Sequence, residues 1–343
     1  MEARVLKVFV AIAVSALSAA CGPRPMLKMQ IEPAVPLCRT VLPADRTVRW
    51  IAPSDDSDRA YLRSWCDAVG PVFVHDPGDR QQSGSGPVTI VSWNMAVGDG
   101  DLSRLLEDVR GRDANADLIL LLQEAYRATA PPAICPDGSR RADALGRPRA
   151  PGSEDIADLA TRLHMHAVYA PSMRNGVDCA AEPREDRGNA ILSTLPISDL
   201  TVIELPFAQQ RRAAVAARIG GSIGVISTHF DTLRGHSQMA QAIARSVTLL
   251  GWTGPLIVAG DFNSALPHDG GLHEMKQHFA ELDCGSGPTH ELGRRLDRMF
   301  IGTGDAPFPC RTGAADQRHG SDHRPLIADF PGTRSRDAYV PRP

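Results

Sequence analysis

Lysine is the residue type that this chain has least of. The 343-residue sequence contains 37 basic residues, and the lysines among them are Lys7, Lys28 and Lys276. Lys7 and Lys28 lie in the N-terminal segment, and no glycine-rich phosphate-binding motif precedes Lys276. Schiff-base chemistry and a lysine-dependent P-loop therefore have no support in the sequence. The Gly-x-Ser-x-Gly elbow of serine hydrolases is missing as well.

Excess positive charge and the cysteine spacings of zinc sites are also missing. The formal net charge is -3, the sequence pI is about 6.4, and aromatic residues make up 5% of the chain. There is thus no overall positive field of the kind that drives non-specific DNA binding. Without Cys-x-x-Cys or Cys/His spacings, structural zinc is disfavoured. A content of 43% hydrophobic and 22% charged residues excludes a collagen, a coiled coil and a wholly disordered chain.

The N-terminus has the features of a targeting signal. A basic start, an apolar run and small residues follow one another over residues 4–20, and this stretch is short for a membrane span. Cys21 comes directly after small residues, so the segment resembles a bacterial lipoprotein signal with Cys21 as the lipidation site. The alternative is an ordinary secreted protein cut near Ala20. The sequence thus predicts a cell-envelope protein that is lipid-anchored at the outer membrane, in the periplasm or on the cell surface. The outer membrane is favoured because Gly22 is not an acidic inner-membrane retention signal.

The remaining cysteines are even in number, as expected for disulfides in an oxidising compartment. Six cysteines allow 15 pairings. The most local set is Cys38–Cys66, Cys135–Cys179 and Cys284–Cys310.

The chain divides by composition into four parts. We predict a signal peptide over 1–20, a lipidated tether and small N-terminal segment over 21–86, a catalytic domain over 87–330 and a polar tail over 331–343. The tether has little periodicity, and the flexible linker QQSGSGP ends it. One domain is expected behind the tether.

Strands outnumber helices in the predicted domain, which makes it an α/β chain. The β-branched run from Val88 predicts a strand that ends at Asn94, and the apolar run 118–122 predicts a buried strand that ends in Gln123-Glu124. Asp101 is expected to cap a helix, Ser153 a second helix that reaches about residue 163, and a third helix is expected over 236–250.

Polar residues recur where the apolar strands end. The residues in these positions are Asn94, Glu124, His229, Asp261, Asn263, Asp322 and His323. Oxygen ligands of this type suit Mg²⁺, Mn²⁺ or Ca²⁺ better than zinc. Each residue alone has a structural explanation as a turn or strand-end residue, so the functional interpretation depends on their order and spacing.

In that order the segments resemble the endonuclease/exonuclease/phosphatase superfamily, which includes deoxyribonucleases, neutral sphingomyelinases and inositol polyphosphate phosphatases. The matching segments are Ser92-Trp93-Asn94, Leu122-Gln123-Glu124, Gly188 to Ser193 with Pro196-Ile197, Ser227-Thr228-His229, Gly260-Asp261-Phe262-Asn263, Leu296-Asp297-Arg298-Met299-Phe300 and Ser321 to Leu326. The resemblance covers about residues 87–330. It implies a four-layer α/β sandwich, in which two mixed β-sheets pack face to face with helices outside.

The resemblance also implies a role for each site residue. Asn94, Glu124 and Asp322 would surround the metal, with Mg²⁺ expected and Mn²⁺ or Ca²⁺ possible. The catalytic residues implied are Asp261 and Asn263 for the attacking water and the phosphate, His229 for the phosphoryl oxygens, and His323 as general base or phosphate stabiliser, oriented by Asp297. The choice of general base between Asp261 and His323 stays open at this stage. The candidate substrate-binding residues are Asn189, which lies within a matched motif, and Arg187 and Arg212, which lie near matched motifs.

The substrate is the least determined feature. We predict a metal-dependent phosphodiesterase that acts on nucleic acid, since arginine suits bidentate phosphate contacts. The alternatives are a phospholipid headgroup or inositol phosphate phosphoesterase and, from another class, a non-catalytic envelope lipoprotein that only binds. The predicted partners are the phosphate-ester substrate and, through the lipid anchor alone, a membrane. A monomer is expected.

Overall fold

Fifteen strands and four helices form the part of the chain that the structure describes. The computed structural model describes residues 27–32, 47–56, 58–60, 63, 69–78, 86–111, 116–128, 153–175, 185–266, 268–314 and 316–331. The strands are β1 (Met29–Ile31), β2 (Arg49–Pro53), β3 (Phe73–His75), β4 (Val88–Asn94), β5 (Asp117–Arg127), β6 (His166–Asn175), β7 (Glu185–Ser193), β8 (Ile197–Glu204), β9 (Ala213–Ile219), β10 (Ile223–His229), β11 (Leu256–Asp261), β12 (Phe279–Glu281), β13 (Asp297–Gly302), β14 (Cys310–Thr312) and β15 (Leu326–Phe330). The helices are α1 (Leu102–Arg110), α2 (Ile156–Arg162), α3 (His236–Leu250) and α4 (Gly270–His278).

The strands make two mixed sheets. The first sheet has eight strands in the order β1-β2-β8-β9-β10-β11-β13-β12, and the second has seven in the order β14-β15-β4-β5-β7-β6-β3. Parallel pairs, such as β10 with β11 and β4 with β5, occur among antiparallel ones in both sheets. The predicted α/β class with two mixed sheets is confirmed.

Successive side chains of each strand point to opposite faces of its sheet, and this alternation produces the layers. Ile90 of β4 packs with Val225 of β10 in a cluster between the two sheets, whereas Val91 faces outward against Leu105 and Val109 of α1. The other outer layer is built in the same way by α3 and α4 against the first sheet. Strands buried on both faces explain the continuous apolar runs in the sequence. The order helix, sheet, sheet, helix is the predicted four-layer sandwich.

Helices α1 and α2 begin at side-chain caps, and the cap of α2 corrects a prediction. Asp101 caps α1 as predicted, since its Oδ1 accepts the Arg104 N–H at 2.9 Å. Ser153 does not cap α2: Asp155 does, by accepting the Ala157 N–H at 2.7 Å. The Ser153 hydroxyl instead donates to Asp99 Oδ1 at 2.7 Å. Helix α3 has the predicted bounds, while α4 was not predicted.

Strand β5 does not end at Gln123-Glu124, as the sequence suggested. It continues to Arg127, and its pairing with β7 shifts register between Leu122 and Ala125. Glu124 lies in this bulge with a φ of 48°. The bulge turns the Glu124 side chain out of the regular alternation.

The segment before residue 87 contributes to both sheets. Strands β1 and β2 pair with each other, and β2 joins β8 in parallel, although little regular structure was expected there. Strand β3 joins the edge of the second sheet through β6. The Gly70 N–H donates to buried Asp186 at 2.9 Å, which attaches this segment to the sandwich.

One predicted disulfide is confirmed. Cys284 and Cys310 are bonded, with their Cα atoms 4.5 Å apart. Cys21 and the pairs Cys38–Cys66 and Cys135–Cys179 lie outside the described residues, as do the signal peptide and most of the tail. Among the residues that the structure describes, no helix has both the length and the apolar character needed to cross a bilayer.

Candidate active site

Strand register brings the predicted site residues to one end of the sandwich. His229 and Asp261 are the last residues of β10 and β11, and they are paired across that parallel ladder. Asp261 is also paired with Asp297, the first residue of β13. Asn94 ends β4 in the opposite sheet, and its Nδ2 donates to Asp261 Oδ2 at 3.1 Å. The two sheets therefore meet at Asp261.

These side chains surround a cavity of about 360 Å³. Of the predicted site residues, those that line it are Asn94, Glu124, Arg187, Arg212, His229, Asp261, Asn263, Asp322 and His323. Asp297 lies behind His323 and is fully buried. Nearly the whole predicted set is therefore brought together.

Asn189 is the exception. It is 1% exposed and does not line the cavity. Its Nδ2 donates to the carbonyl of Ala213 at 2.5 Å, which links β7 of one sheet to β9 of the other. The contacts of Asn189 are those of a structural bridge between the sheets, in contrast to the predicted substrate contact.

Asp261 is buried at the centre of a polar network. Its Oδ1 accepts the Asn263 N–H at 2.9 Å, and its Oδ2 lies 3.4 Å from His229 Nε2 and 3.8 Å from His323 Nε2. Burial raises the pKa of Asp261 to about 6, against the opposing effect of nearby His323. The carboxyl group is thus mostly ionised at neutral pH, with a basicity matched to proton transfer.

His323 is held by a buried carboxylate. Its Nδ1 lies 2.7 Å from Asp297 Oδ2, and its backbone N–H donates to Ser321 Oγ at 2.9 Å. Burial lowers the pKa of His323, but the charge and hydrogen bond of Asp297, with Asp261 and Asp322, outweigh it and raise the pKa to about 10. In the metal-free protein His323 is therefore a cation whose Nε2 faces the cavity carboxylates.

His229 is neutral by contrast. Burial, followed by the charges of Arg212, His323 and Arg187, lowers its pKa well below 6.5. Asn263 Nδ2 donates to the Phe230 carbonyl at 3.1 Å and lies 3.1 Å from His229 Nε2. The same nitrogen lies between an amide donor, Asn263, and a carboxylate acceptor, Asp261, so the His229 tautomer depends on which of them it pairs with.

Two buried arginines give the cavity a cationic wall. Arg187 is 7% exposed and Arg212 is 4% exposed. Burial lowers the pKa of Arg212 to about 10, while Glu124 opposes the shift. Arg212 Nη2 donates to Gln210 Oε1 at 2.8 Å, and its buried Nε has no hydrogen-bond partner among the described residues. A guanidinium desolvated in this way is suited to bind an anion.

The oxygen donors of the cavity fit a hard divalent cation. Glu124 and Asp322 contribute carboxylates and Asn94 an amide, and all three line the same space. Ligand atoms of Asp322, His323 and His290 lie within 4.8 Å of one another, as do those of Asp261, Asp297 and His323. Carboxylate and amide oxygens are the donors that Mg²⁺ prefers, so the predicted metal ligands fit the ion.

His290 is the main site residue that the sequence did not reveal. Its ring stands edge-on to His323, with ring centroids 4.7 Å apart, and its Nε2 lies 3.8 Å from Asp322 Oδ2. The Leu292 N–H donates to His290 Nδ1 at 3.0 Å, so the ring proton is on Nε2. Nearby Thr289 was also missed: its Oγ1 accepts the N–H groups of Leu296 and Asp297. An isolated β-bridge to residue 323 brings His290 to the site, and no local sequence pattern predicts that bridge.

Comparison with known proteins identifies a matching family, a relative and solved structures with the same fold. A family model described as "Endonuclease/Exonuclease/phosphatase family" matches residues 91–323. YbhP of Escherichia coli (strain K12) is 29% identical over 165 residues, which are 44% of this chain and 65% of YbhP; the match thus spans less than two thirds of that relative. A structure titled endonuclease/exonuclease/phosphatase from Beutenbergia cavernae shares the fold at 18% identity with a TM-score of 0.51, covering 72% of each chain. A family protein from Leptotrichia buccalis has 15% identity and a TM-score of 0.50, covering 71% of this chain and 99% of its own.

Proposed function

The chain belongs to the endonuclease/exonuclease/phosphatase family, whose members are generally phosphoester hydrolases, and we propose that it is a divalent-metal-dependent phosphodiesterase. The observation that carries this proposal is one cavity lined by Asp261, His323, His229 and two buried arginines, beside a set of oxygen ligands. A binding module that had lost catalysis would need losses in this set, and the described residues include every predicted catalytic residue and metal ligand.

Asn94, Glu124 and Asp322 would hold the metal. A bound divalent cation would neutralise charge on the phosphoryl oxygens and orient the phosphate for in-line attack. Mg²⁺ fits this donor set best, and Mn²⁺ and Ca²⁺ share its preference for oxygen.

The protonation states favour Asp261 as the general base. Asp261 is ionised at neutral pH and is held in place by Asn94 and Asn263, so its carboxylate can accept the proton of the attacking water. His323 already carries a proton, which makes it a cationic stabiliser of the phosphoryl oxygens. This division of roles is our proposal for the choice of general base that the sequence left open.

Arg187, Arg212 and neutral His229 would bind the non-bridging oxygens of the phosphate. The two guanidinium groups and His229 line the same cavity, and His229 Nε2 lies 3.4 Å from Asp261 Oδ2. Their burial strengthens each contact with an anion, because water screens it less. Together these groups can bind one phosphodiester.

The charge of the described surface beside the catalytic cavity favours a substrate with few phosphate groups over one with many. A neighbouring cavity of about 530 Å³ is lined by Arg104, Arg318 and His319 together with four carboxylates, Asp108, Glu291, Asp316 and Asp322. A nucleic-acid strand that extended through this neighbouring cavity would meet net negative charge there. Nucleic acid, the substrate predicted from the sequence, is supported mainly by Arg187 and Arg212 inside the catalytic cavity.

Hydrolysis of bis(4-nitrophenyl) phosphate tests the reaction class directly. We expect release of nitrophenol with Mg²⁺ or Mn²⁺ and none with excess chelator. DNA, RNA, phospholipid vesicles and inositol phosphates, offered in parallel with Mg²⁺, would rank the substrates. Hydrolysis that persists unchanged in chelator would refute the metal requirement, and no hydrolysis of any phosphoester would refute the proposal.

We also propose that Cys21 anchors the protein in the cell envelope through lipid and that the catalytic unit is a monomer. Mass spectrometry of the purified N-terminal peptide tests the anchor, because lipidation adds the mass of acyl chains to Cys21. An unmodified Cys21 or cleavage elsewhere would refute it. Light scattering in detergent, corrected for bound detergent, tests the monomer.

A further inference from the structure

Three leucines are the most exposed large hydrophobic residues that the structure describes. Leu233 and Leu266 are each 70% exposed and Leu292 is 69% exposed, whereas the others in this class, Ile31 and Leu249, reach 46% and 37%. A single exposed leucine has no special meaning. Several at one location can mark an interaction site.

All three leucines lie on loops that carry lining residues of the catalytic cavity. Leu233 is itself part of the cavity lining. Leu266 follows Asn263 by three residues, and its loop is fastened to the Leu233 loop by His236, which contacts Asp269 at 2.9 Å and the Asp231 carbonyl at 2.7 Å. On the third loop, the N–H of Leu292 donates to His290, another lining residue.

Each leucine is accompanied by an exposed basic residue. Arg234 directly follows Leu233, His268 comes two residues after Leu266, and Arg294 comes two residues after Leu292. The acidic residue nearest in sequence, Glu291, forms an ion pair with Arg318 at 3.1 Å. Apolar side chains beside exposed arginines such as Arg234 and Arg294 are the chemistry of protein surfaces that bind anionic membranes.

We propose that Leu233, Leu266 and Leu292 form a leucine rim that inserts into the surface of an anionic phospholipid bilayer. The rim would place the cavity against the lipid headgroups, so the substrate class is the phosphodiester of a phospholipid headgroup. This assignment of substrate rests on the proposed phosphodiesterase function. Nucleic acid matches the rim less well, because a phosphate backbone offers no apolar surface to three leucines.

Tryptophan substitutions report insertion without any need for turnover. The full-length protein would carry Leu233→Trp, Leu266→Trp or Leu292→Trp, with Leu249→Trp on α3 as the matched control. Each is mixed with vesicles of phosphatidylcholine and phosphatidylglycerol, with and without brominated acyl chains. We expect bromine to quench the three rim variants more than the control, because the added tryptophan of each rim variant would lie among the acyl chains. The four native tryptophans are common to all variants, so the difference in quenching reports the added side chain.

The outcomes separate the lipid surface from other partners. Equal quenching in all four variants would overturn the proposal. A change in rim fluorescence with duplex DNA but not with vesicles would overturn it in favour of nucleic acid. Quenching of the rim in a protein that hydrolyses no soluble diester would support the membrane contact and defeat the proposed function alone.

A second variant links the rim to substrate. We expect the double change Leu266→Ser and Leu292→Ser to slow hydrolysis of vesicle-embedded phospholipid at least about tenfold more than hydrolysis of bis(4-nitrophenyl) phosphate, because it removes apolar area from the membrane contact. Leu249→Ser is the control and should change neither rate. An equal fall on both substrates would overturn the proposal, because it would indicate damage to the catalytic cavity.

Discussion

Asp297 Oδ2 lies 2.7 Å from His323 Nδ1, and this contact helps to raise the pKa of His323 to about 10. Asp297 is fully buried, and its other oxygen, Oδ1, has no hydrogen-bond partner in the described part of the chain. A buried carboxylate with so few donors depends on an adjacent cation. The pair therefore stabilises both the imidazolium of His323 and its orientation, with Nε2 toward Asp261 and Asp322.

Replacing Asp297 by asparagine should destabilise the protein in a pH-dependent way. The pKa of His323 is raised from 6.5 to about 10 in the folded protein. The stabilising contribution is therefore full below about pH 6.5 and is lost as the pH rises through about 10. We expect Asp297→Asn to lower the free energy of unfolding by about 2 kcal/mol near pH 6. The loss should shrink towards about pH 10.

Urea denaturation in chelator at both ends of this range measures the effect. Asp199→Asn is a suitable control, because Asp199 is exposed and lies outside the site. A loss of stability that is the same at both pH values would contradict a charge-based role for Asp297.

Asp261→Asn should lower kcat by about 10²-fold, because asparagine cannot accept the proton of the attacking water. The amide is isosteric and keeps an oxygen for the Asn263 N–H, so the fold should persist. Steady-state hydrolysis of bis(4-nitrophenyl) phosphate with Mg²⁺ measures the change. Asp199→Asn controls for the substitution itself, since asparagine tolerates the φ of 50° at that position. Near-normal turnover in Asp261→Asn would remove Asp261 as the base.

The fold could be predicted where a pattern of neighbouring residues determines the local structure. The apolar run from Val88 stops at a polar residue, Asn94, and the strand stops there as well. Asp101 caps its helix because an N-cap needs only a side-chain acceptor near the next turn. The candidate metal ligands and catalytic residues could be named because the family motifs lie at strand ends, and strand register brings those ends together.

What could not be predicted depends on distant contacts. Glu124 lies in a bulge within β5, and a continuous apolar run does not show where the pairing shifts. His290 is brought to the site by a β-bridge to His323, and no spacing of residues in the sequence predicts this bridge. Asn189 lies within a family motif, but its side chain points between the sheets, where it donates a hydrogen bond to the Ala213 carbonyl of β9. Strands of three residues, such as β14, form because a neighbouring strand pairs with them.

Arg212→Lys should weaken substrate binding more than turnover. Lysine keeps the charge but loses the planar fork that can hold two phosphoryl oxygens. We expect KM for the diester to rise about tenfold, with a smaller fall in kcat. Arg218→Lys is the control: Arg218 lies towards the opposite end of β9 and does not line the cavity. An unchanged KM in Arg212→Lys would exclude a direct phosphate contact.

Glu124→Gln should weaken metal binding, because a neutral amide replaces one carboxylate of the proposed ligand set. We expect the Mg²⁺ concentration that gives half-maximal activity to rise at least about tenfold. Titration with Mg²⁺ by calorimetry measures the same change without turnover. Glu107→Gln, on the exposed face of α1, should behave as the unsubstituted protein. Equal Mg²⁺ affinity in both variants would remove Glu124 from the ligand set.

Loss of the Cys284–Cys310 disulfide should lower stability without affecting the site. The bond closes a loop with a sequence separation of 26, which corresponds to about 3.5 kcal/mol of unfolded-state entropy. The double variant Cys284→Ala and Cys310→Ala isolates this bond from the other predicted disulfides, which a reductant would also open. Denaturant unfolding without reductant measures the loss, and hydrolysis of the soluble diester should stay near that of the unsubstituted protein, because neither cysteine lines the cavity. Unchanged stability in the double variant would mean that the bond constrains the unfolded chain less than its loop length implies.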